Sequence, residues 1–346
     1  MKKRFLIFSV LIFLVSVGMI VYLMFFDTIG LTFLSDEEMI TDYCSSWKTY
    51  AAVSDLGNCY LNGEASYNEP YGVKNIRKYY SATPQHYVCI YDKGDAKHIN
   101  LSFSGGIIVT DKNELYAFVN QNSELKVPSL VGQNCVDACV CRNNRVFLLK
   151  ENGDFGYIDL DDGNNFYLVK SNIIKIQLIS RLGYETLFVL SNDHHMFAID
   201  SKSLTETLLS NWDNTLDFDI SAPYEESCVV GRVTDEGVCF VNIGALDLNA
   251  DRIQVTKGTK VGEGMISVAA YGKGVAMQNR DGDVSLYGDD LNSETYQRRF
   301  NGEIYFQDVQ AVYGRDLDLT VLYKNGTFEQ YGRLPNGVYQ EIIHRQ

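Results

Sequence analysis

After its first thirty or so residues the chain shows no 3.6-residue apolar rhythm; apolar and polar positions alternate in short runs broken by Gly, Asn and Asp. The stretch LTVLYKNGTFEQYGR, Leu319 to Arg333, shows the unit. Two apolar strands are expected to fold back on each other at Asn325-Gly326, because a tight hairpin turn needs positive φ and Asn-Gly adopts it at least cost. Six further stretches share the plan, with turns centred at residues 57, 113, 153, 194, 237 and 282 beside the one at 326. The steps between them are 56, 40, 41, 43, 45 and 44 residues, so only the first is long. Two residues after each turn stand Cys59, Leu115, Phe155, Met196, Cys239, Val284 and Phe328, all apolar. Four before it stand Val53, Val109, Leu149, Leu190, Val233, Gln278 and Leu322, apolar in six of seven copies. Fixed apolar positions on both arms of a hairpin are what a shared buried face demands of strands whose side chains alternate.

A further strand precedes each hairpin: DVQAVYG, GMISVAAYG and CVDACVC lead into the seventh, sixth and third copies, with Val312, Val268 and Cys139 each fourteen residues before the turn glycine. With one more strand per unit, about 43 residues hold four short strands, the period of a propeller blade. The expected fold is all-β, a seven-bladed β-propeller over residues 36–346, preceded by one N-terminal transmembrane helix within residues 1–35. Either the C-terminal GVYQEIIH or the segment near Met39 is expected to close the ring. The long first step leaves NEPYGVKNIRKYYSATPQHYVCIYDKGD partly as an insertion in the first or second blade, and its irregularity makes it the candidate functional loop, with Tyr79 and Tyr80 as binding residues.

The copy AVYGRDLDLTVLYKNGTFEQYGR resembles the repeat of the regulator of chromosome condensation: a small-residue strand, an apolar strand, a polar-Gly turn, then a strand ending in aromatic-Gly, as at Tyr287-Gly288 and Tyr331-Gly332. The resemblance covers nearly the whole chain after the first helix. It implies a propeller used for binding: eukaryotic members promote nucleotide exchange and act on chromatin, whereas exported bacterial relatives bind or inhibit other proteins. The Trp-Asp pair of WD repeats does not recur among the copies, Trp212-Asp213 being its one occurrence, and VSDLG and VTDEG carry valine where a sialidase-type Ser-x-Asp-x-Gly turn needs serine.

The first residues place the chain. Lys2, Lys3 and Arg4 precede 22 uncharged, mostly apolar residues, Phe5 to Phe26. As a helix this stretch spans roughly 33 Å, enough for a hydrocarbon core of about 30 Å. It is longer than a signal-peptide core, and Ser16-Val17-Gly18 is its one small-x-small site. Basic residues before it and Asp27, Asp36, Glu37 and Glu38 after it orient the N-terminus to the cytoplasm. The chain is therefore read as a single-pass type II cell-membrane protein with its propeller on the extracellular side. Beyond the anchor, 44 acidic residues face 27 basic ones, a net charge of −17 that repels nucleic acid and anionic lipid.

Eight cysteines in an oxidising compartment invite disulfides, but Cys59, Cys139 and Cys239 take core positions in the aligned copies. Cys44, Cys89, Cys135, Cys141 and Cys228 have no such assignment and stay open to pairing; Cys139 and Cys141 share a strand face. Gly-x-Ser-x-Gly, His-Glu-x-x-His and phosphate-loop motifs are absent, so no catalytic residue and no cofactor is assigned. His194-His195 falls in a turn and is read as polar surface. DLNAD offers Asp247, Asn249 and Asp251 as oxygen ligands, but Arg252 stands where a calcium loop needs its glycine; DLDDGNN, Asp159 to Asn165, is one residue short. Ordinary Asx turns account for both. Trp212, in SNWDNTLD, is either a surface anchor for a partner or a residue covering a blade edge.

The leading expectation is a monomeric, membrane-anchored binding platform for a protein or cell-surface glycan or other polymer. The alternative is an exported hydrolase or lyase, which requires three or more carboxylate, His or Arg side chains gathered at the propeller channel.

Overall fold

The computed structural model describes residues 34–35, 37–46, 49–63, 66–68, 73–75, 87–102, 105–121, 124–125, 128–181, 184–224, 227–244, 253–289, 299–315, 318–333 and 339–340. The expected anchor Phe5 to Phe26 lies outside them, as do Tyr79 and Tyr80 and the metal candidates Asp247, Asn249 and Asp251. Among the described residues no helix is long and apolar enough to cross a membrane; the one helical element assigned there is a short 3-10 turn, Ser210–Trp212.

Seven sheets follow one another along the chain, each built on antiparallel strands that run in sequence order from the propeller axis outward, the second being extended at its outer edge by a hairpin from earlier in the chain. The innermost strands are Ile40–Ser46, Ala96–Ser102, Cys135–Val140, Ile173–Arg181, Thr215–Tyr224, Met265–Tyr271 and Val309–Arg315, which begin blades 1 to 7. Each touches the next, and the last touches the first, so the ring is closed.

All seven turn residues read from the sequence have positive φ: Gly57, Asn113, Gly153, His194, Gly237, Gly282 and Gly326 lie between 59° and 93°. The two aligned apolar positions face each other across every hairpin, from Val53↔Cys59 to Leu322↔Phe328. The exception, Gln278, is buried beside Val284, and its amide donates to the Val309 carbonyl of blade 7 at 2.9 Å. A buried polar side chain is tolerated there because it is hydrogen-bonded, and here the bond joins two blades.

The turns also clip the blades together. In six blades the turn residue's carbonyl accepts the N–H of the first inner-strand residue of the following blade, at 2.9–3.1 Å, as in Ala96 N–H to Gly57 and Val309 N–H to Gly282. The residue with positive φ turns its carbonyl outward from the hairpin, which frees it for the neighbour. At the seam, blade 7 meets blade 1 through side chains: Tyr313 Oη donates to Asp42 Oδ1 at 3.2 Å, Ser45 Oγ to Asp318 Oδ1 at 2.9 Å, and the Gln330 amide to the hydroxyls of Tyr43 and Tyr87. The C-terminal segment supplies the outer strand of blade 7, Tyr339–Gln340, paired to Phe328–Arg333. Apart from the hairpin inserted in blade 1, each blade is thus built from its own stretch of the chain, and among the described residues packing rather than a borrowed strand closes the ring.

The insertion belongs to blade 1, between its third strand Cys59–Gly63 and its outer strand Val88–Tyr91. Its hairpin, Ser66–Asn68 with Val73–Asn75, reaches across to the extended outer edge of blade 2, where Tyr67 pairs in parallel with Leu125.

All eight cysteines are thiols, seven buried and Cys44 half-buried. Those without a sequence assignment join the apolar clusters: Cys89 packs between blades 1 and 7, Cys135 with Leu115 and Ile158, Cys228 with Phe218 and Trp212. Burial pushes the Cys89 and Cys239 thiols up to about 12, so neither forms thiolate at neutral pH. A soluble disulfide reagent is therefore expected to titrate at most Cys44 in the folded protein and all eight thiols after denaturation; release of several thiols without denaturant would contradict this packing. Cys139 requires one correction. It is buried, but eighteen residues separate Cys135 from Gly153 against seventeen from Met265 to Gly282, so Ala138, not Cys139, is the counterpart of Val268 and Val312.

Candidate functional site

Every inner strand carries a β-bulge at its second residue, where the ladder register slips between the first and third. A bulge leaves one residue unpaired and re-aims its side chain. Because the first residue of each inner strand sits against a turn, the bulges form a ring at the turn-bearing face of the propeller, around the channel mouth. Its members are Thr41, Lys97, Val136, Ile174, Leu216, Ile266 and Gln310.

The ring is one-sided. Blades 3 to 6 contribute four consecutive aliphatic side chains, with Ile174 43% exposed, Leu216 39% and Ile266 39%, and Val136 half-buried. Blades 7, 1 and 2 contribute Gln310, Thr41 and Lys97, all exposed. Leu56 in the blade 1 turn and Met39 beside it add exposed apolar surface to the same face.

One residue further along, six of the seven inner strands carry a polar side chain, Asp42, His98, Asp137, Lys175, Asp217 and Ser267, and blade 7 carries Ala311. His98 Nδ1 lies 2.7 Å from Asp42 Oδ2 of blade 1, and its Nε2 lies 3.1 Å from Asp137 Oδ1 of blade 3. Lys175 Nζ donates to Asp217 Oδ1 at 2.6 Å, and Gln177 Nε2 to Asp219 Oδ1 at 2.6 Å. The carboxylates also hold backbone: Asp42 Oδ2, the oxygen that faces His98, accepts Ile99 N–H as well, while the second oxygens Asp217 Oδ2 and Asp219 Oδ2 accept Val268 N–H and Ala270 N–H, all at 2.7–3.0 Å. Each of these bonds crosses from one blade to the next.

Burial works against the charge on His98, but Asp42 and Asp137 outweigh it and lift its pKa well above the ordinary imidazole value. Burial also opposes the Lys175 ammonium, and Asp217 and Asp219 raise it above its usual value. Burial raises the Asp219 carboxyl against the pull of Lys175. The raised His98 pKa has a defined sign for stability. The folded state holds the proton more tightly than the unfolded chain does. The stabilisation is therefore complete below about pH 6.5 and is lost as pH rises through the folded pKa. Denaturation midpoints measured across this range should fall with rising pH, and the difference between wild type and His98→Gln should account for part of that slope; parallel profiles would show that His98 is not charged in the fold.

Trp212 is not a surface anchor. It is fully buried among Phe188, Phe218 and Leu209, and its indole Nε1 donates to the Thr256 carbonyl at 2.8 Å. It backs a cleft of about 470 Å³ in blade 5, bordered by Asn242, Gln254 and Gly258. Arg232 is buried beside it, 5.6 Å from the indole centroid, with its guanidinium donating to Thr215 Oγ1 and the Lys257 carbonyl; burial lowers its pKa to about 10. His194 is a turn residue whose Nδ1 lies 3.0 Å from the Thr215 carbonyl, and His195 pairs with Asp213. Asp159 caps its own turn through Asp161 N–H, with Gly163 and Asn164 at positive φ, so DLDDGNN is an ordinary turn. No group of three or more His, Cys, Asp or Glu able to hold a metal occurs among the described residues.

No family model matches the sequence, and no curated protein matches it. Among solved structures the chain is similar to yeast RCC1 (Prp20) in a crystal structure bound to Kap60, at 12% identity over 73% of this chain and 76% of that one, with a TM-score of 0.51. It is equally similar to Prp20p from Saccharomyces cerevisiae, described with its binding to Gsp1p and histones, at 12% identity over 73% and 78% and a TM-score of 0.51. The WD40 domain of SCAP from fission yeast covers 90% of this chain and 88% of its own at 11% identity and a TM-score of 0.48. At these identities the likeness shows the fold, a β-propeller.

Proposed function

We propose that the chain is an exported, bacterial-type propeller of the regulator-of-chromosome-condensation repeat class, held on the outer side of a cell membrane by Phe5 to Phe26 and acting as a monomeric binding platform. The observation that carries the reading is the one-sided aliphatic crescent Val136, Ile174, Leu216 and Ile266 at the mouth of an otherwise polar channel. Scattered apolar residues on a surface are normal, but four at one register position on inner strands that touch in succession concentrate apolar surface on one side of the mouth, as at an interaction site. Prp20p, which shares the fold, is described with protein partners.

The channel gathers Asp42, His98, Asp137, Asp217 and Asp219, the cluster that a hydrolase or lyase would require. The geometry argues for structure instead. A base needs a lone pair within reach of substrate, whereas His98 is held as a cation between two carboxylates, and Asp217 and Asp219 accept backbone N–H groups of blade 6.

A photo-crosslinking residue in place of Leu216 of the full chain in living cells is expected to form a defined adduct, and one in place of Leu168, exposed on the outer strand of blade 3, is not. Equal adducts at both positions would remove the turn face as the docking side. Labelling of an introduced surface cysteine at Leu168 by an impermeant maleimide on intact cells tests the orientation: protection from the reagent would place the propeller inside.

A further inference from the structure

Resting on that reading of the turn face, we propose that the partner is a protein segment in which apolar side chains alternate with lysine or arginine, seated on the crescent of blades 3 to 6. The crescent is purely aliphatic. A glycan-binding face would offer exposed aromatic rings for stacking, and no ring stands among Val136, Ile174, Leu216 and Ile266.

Charge sets the rest of the partner's chemistry. In the turns of the same four blades Glu151, Asp193, Asp235, Glu236 and Asp281 are exposed, and Arg280 is the one lysine or arginine among these turn residues. On the channel side the four are followed in the chain by Asp137, Lys175, Asp217 and Ser267, and the charges there are already matched, Asp217 with Lys175 at 2.6 Å and Asp137 with His98 at 3.1 Å. An occupant therefore meets an apolar strip bounded on its turn side by exposed carboxylates and on its channel side by charges that are already paired. Basic groups flanking an apolar segment complement that field, whereas acidic groups meet repulsion. The same acidity disfavours an anionic lipid surface. It also disfavours a second copy docked face to face, since a two-fold contact would set this acidic rim against itself.

Short random peptides displayed on phage, selected on the full chain in detergent and counter-selected on Ile174→Ser/Leu216→Ser/Ile266→Ser, test this. The expected pool is enriched in Lys and Arg interspersed with Leu, Ile or Phe. A synthetic member should bind the triple variant at least ~10-fold more weakly, equivalent to about 1.4 kcal/mol. It should also weaken on Asp235→Asn/Glu236→Gln/Asp281→Asn and with added salt. A crescent-dependent pool of acidic or uncharged peptides would overturn the partner's chemistry while leaving the turn face as a docking side. Failure to obtain any pool that distinguishes the triple variant would overturn both. Concentration-dependent dimerisation abolished by the triple variant would overturn the heterologous partner in favour of a second copy.

Discussion

Asp42→Ala is expected to lower the unfolding free energy by about 3–5 kcal/mol, the range found when one member of a buried charged pair is removed. Asp42 is 9% exposed and sits where blades 7, 1 and 2 meet. Its two oxygens take the Tyr313 hydroxyl, the His98 imidazole and the Ile99 N–H. Alanine would leave an imidazolium with Asp137 alone and a buried N–H without its acceptor. Because the ring closes by packing, with no strand exchanged between first and last blades, the loss falls on the seam itself. Chemical denaturation measures it, and a cycle with His98→Ala separates the parts: a coupling energy near zero would mean that the pair contributes nothing to closure.

Trp212→Ala should be comparably severe, about 3–5 kcal/mol, as for other large aromatic side chains removed from a core. The indole is fully buried at the contact of blades 4 and 5, 6.4 Å from the Phe188 ring, and Arg232 packs against it. The short 3-10 turn Ser210–Trp212 positions it, with Trp212 N–H bonded to the Leu209 carbonyl at 2.7 Å. Trp212→Phe should keep most of the packing and lose the bond to Thr256, at about 1–3 kcal/mol for a buried carbonyl left without its donor. A wild-type melting curve from Trp212→Ala would return the residue to the surface role that its polar sequence neighbours suggest.

That contrast explains what the amino-acid pattern reveals here and what it hides. Turn chemistry is local, so Asn325-Gly326 and its six counterparts could be found by inspection, and the positive φ at all seven turn residues follows from the same steric rule. The cross-strand pairs Val53↔Cys59 to Leu322↔Phe328 are equally local, fixed by distance from the turn. The channel and the crescent are not. They lie beyond the loop joining the first and second strands, whose length varies. From the first inner-strand residue to the turn there are seventeen residues in blade 6, from Met265 to Gly282, but twenty-one in blade 4, from Ile173 to His194, and twenty-two in blade 5, from Thr215 to Gly237. An alignment anchored on the turns therefore sets Ile266 level with Leu178 and Ser221 instead of Ile174 and Leu216. The slip in Cys139 is the same effect, one residue in size. Aligning on the bulge, a tertiary feature, restores the ring. Trp212 is obscured for another reason: Phe188, Arg232 and Thr256, which help to cover it, lie 24, 20 and 44 residues away in the chain.

The repeat positions build the scaffold, and the positions that differ between blades build the apolar crescent. Ile174, Leu216 and Ile266 are exposed bulge residues outside the core, so replacing them with serine should change stability by no more than about 0.5 kcal/mol each. Quantitative recovery of proteins co-isolated with the full chain from native membranes, wild type against Ile174→Ser/Leu216→Ser/Ile266→Ser at matched expression and melting temperature, tests the account most directly. The account requires at least one partner present with wild type and depleted about tenfold or more with the variant, corresponding to roughly 1.4 kcal/mol of interface energy. Identical recoveries from the two proteins would contradict it.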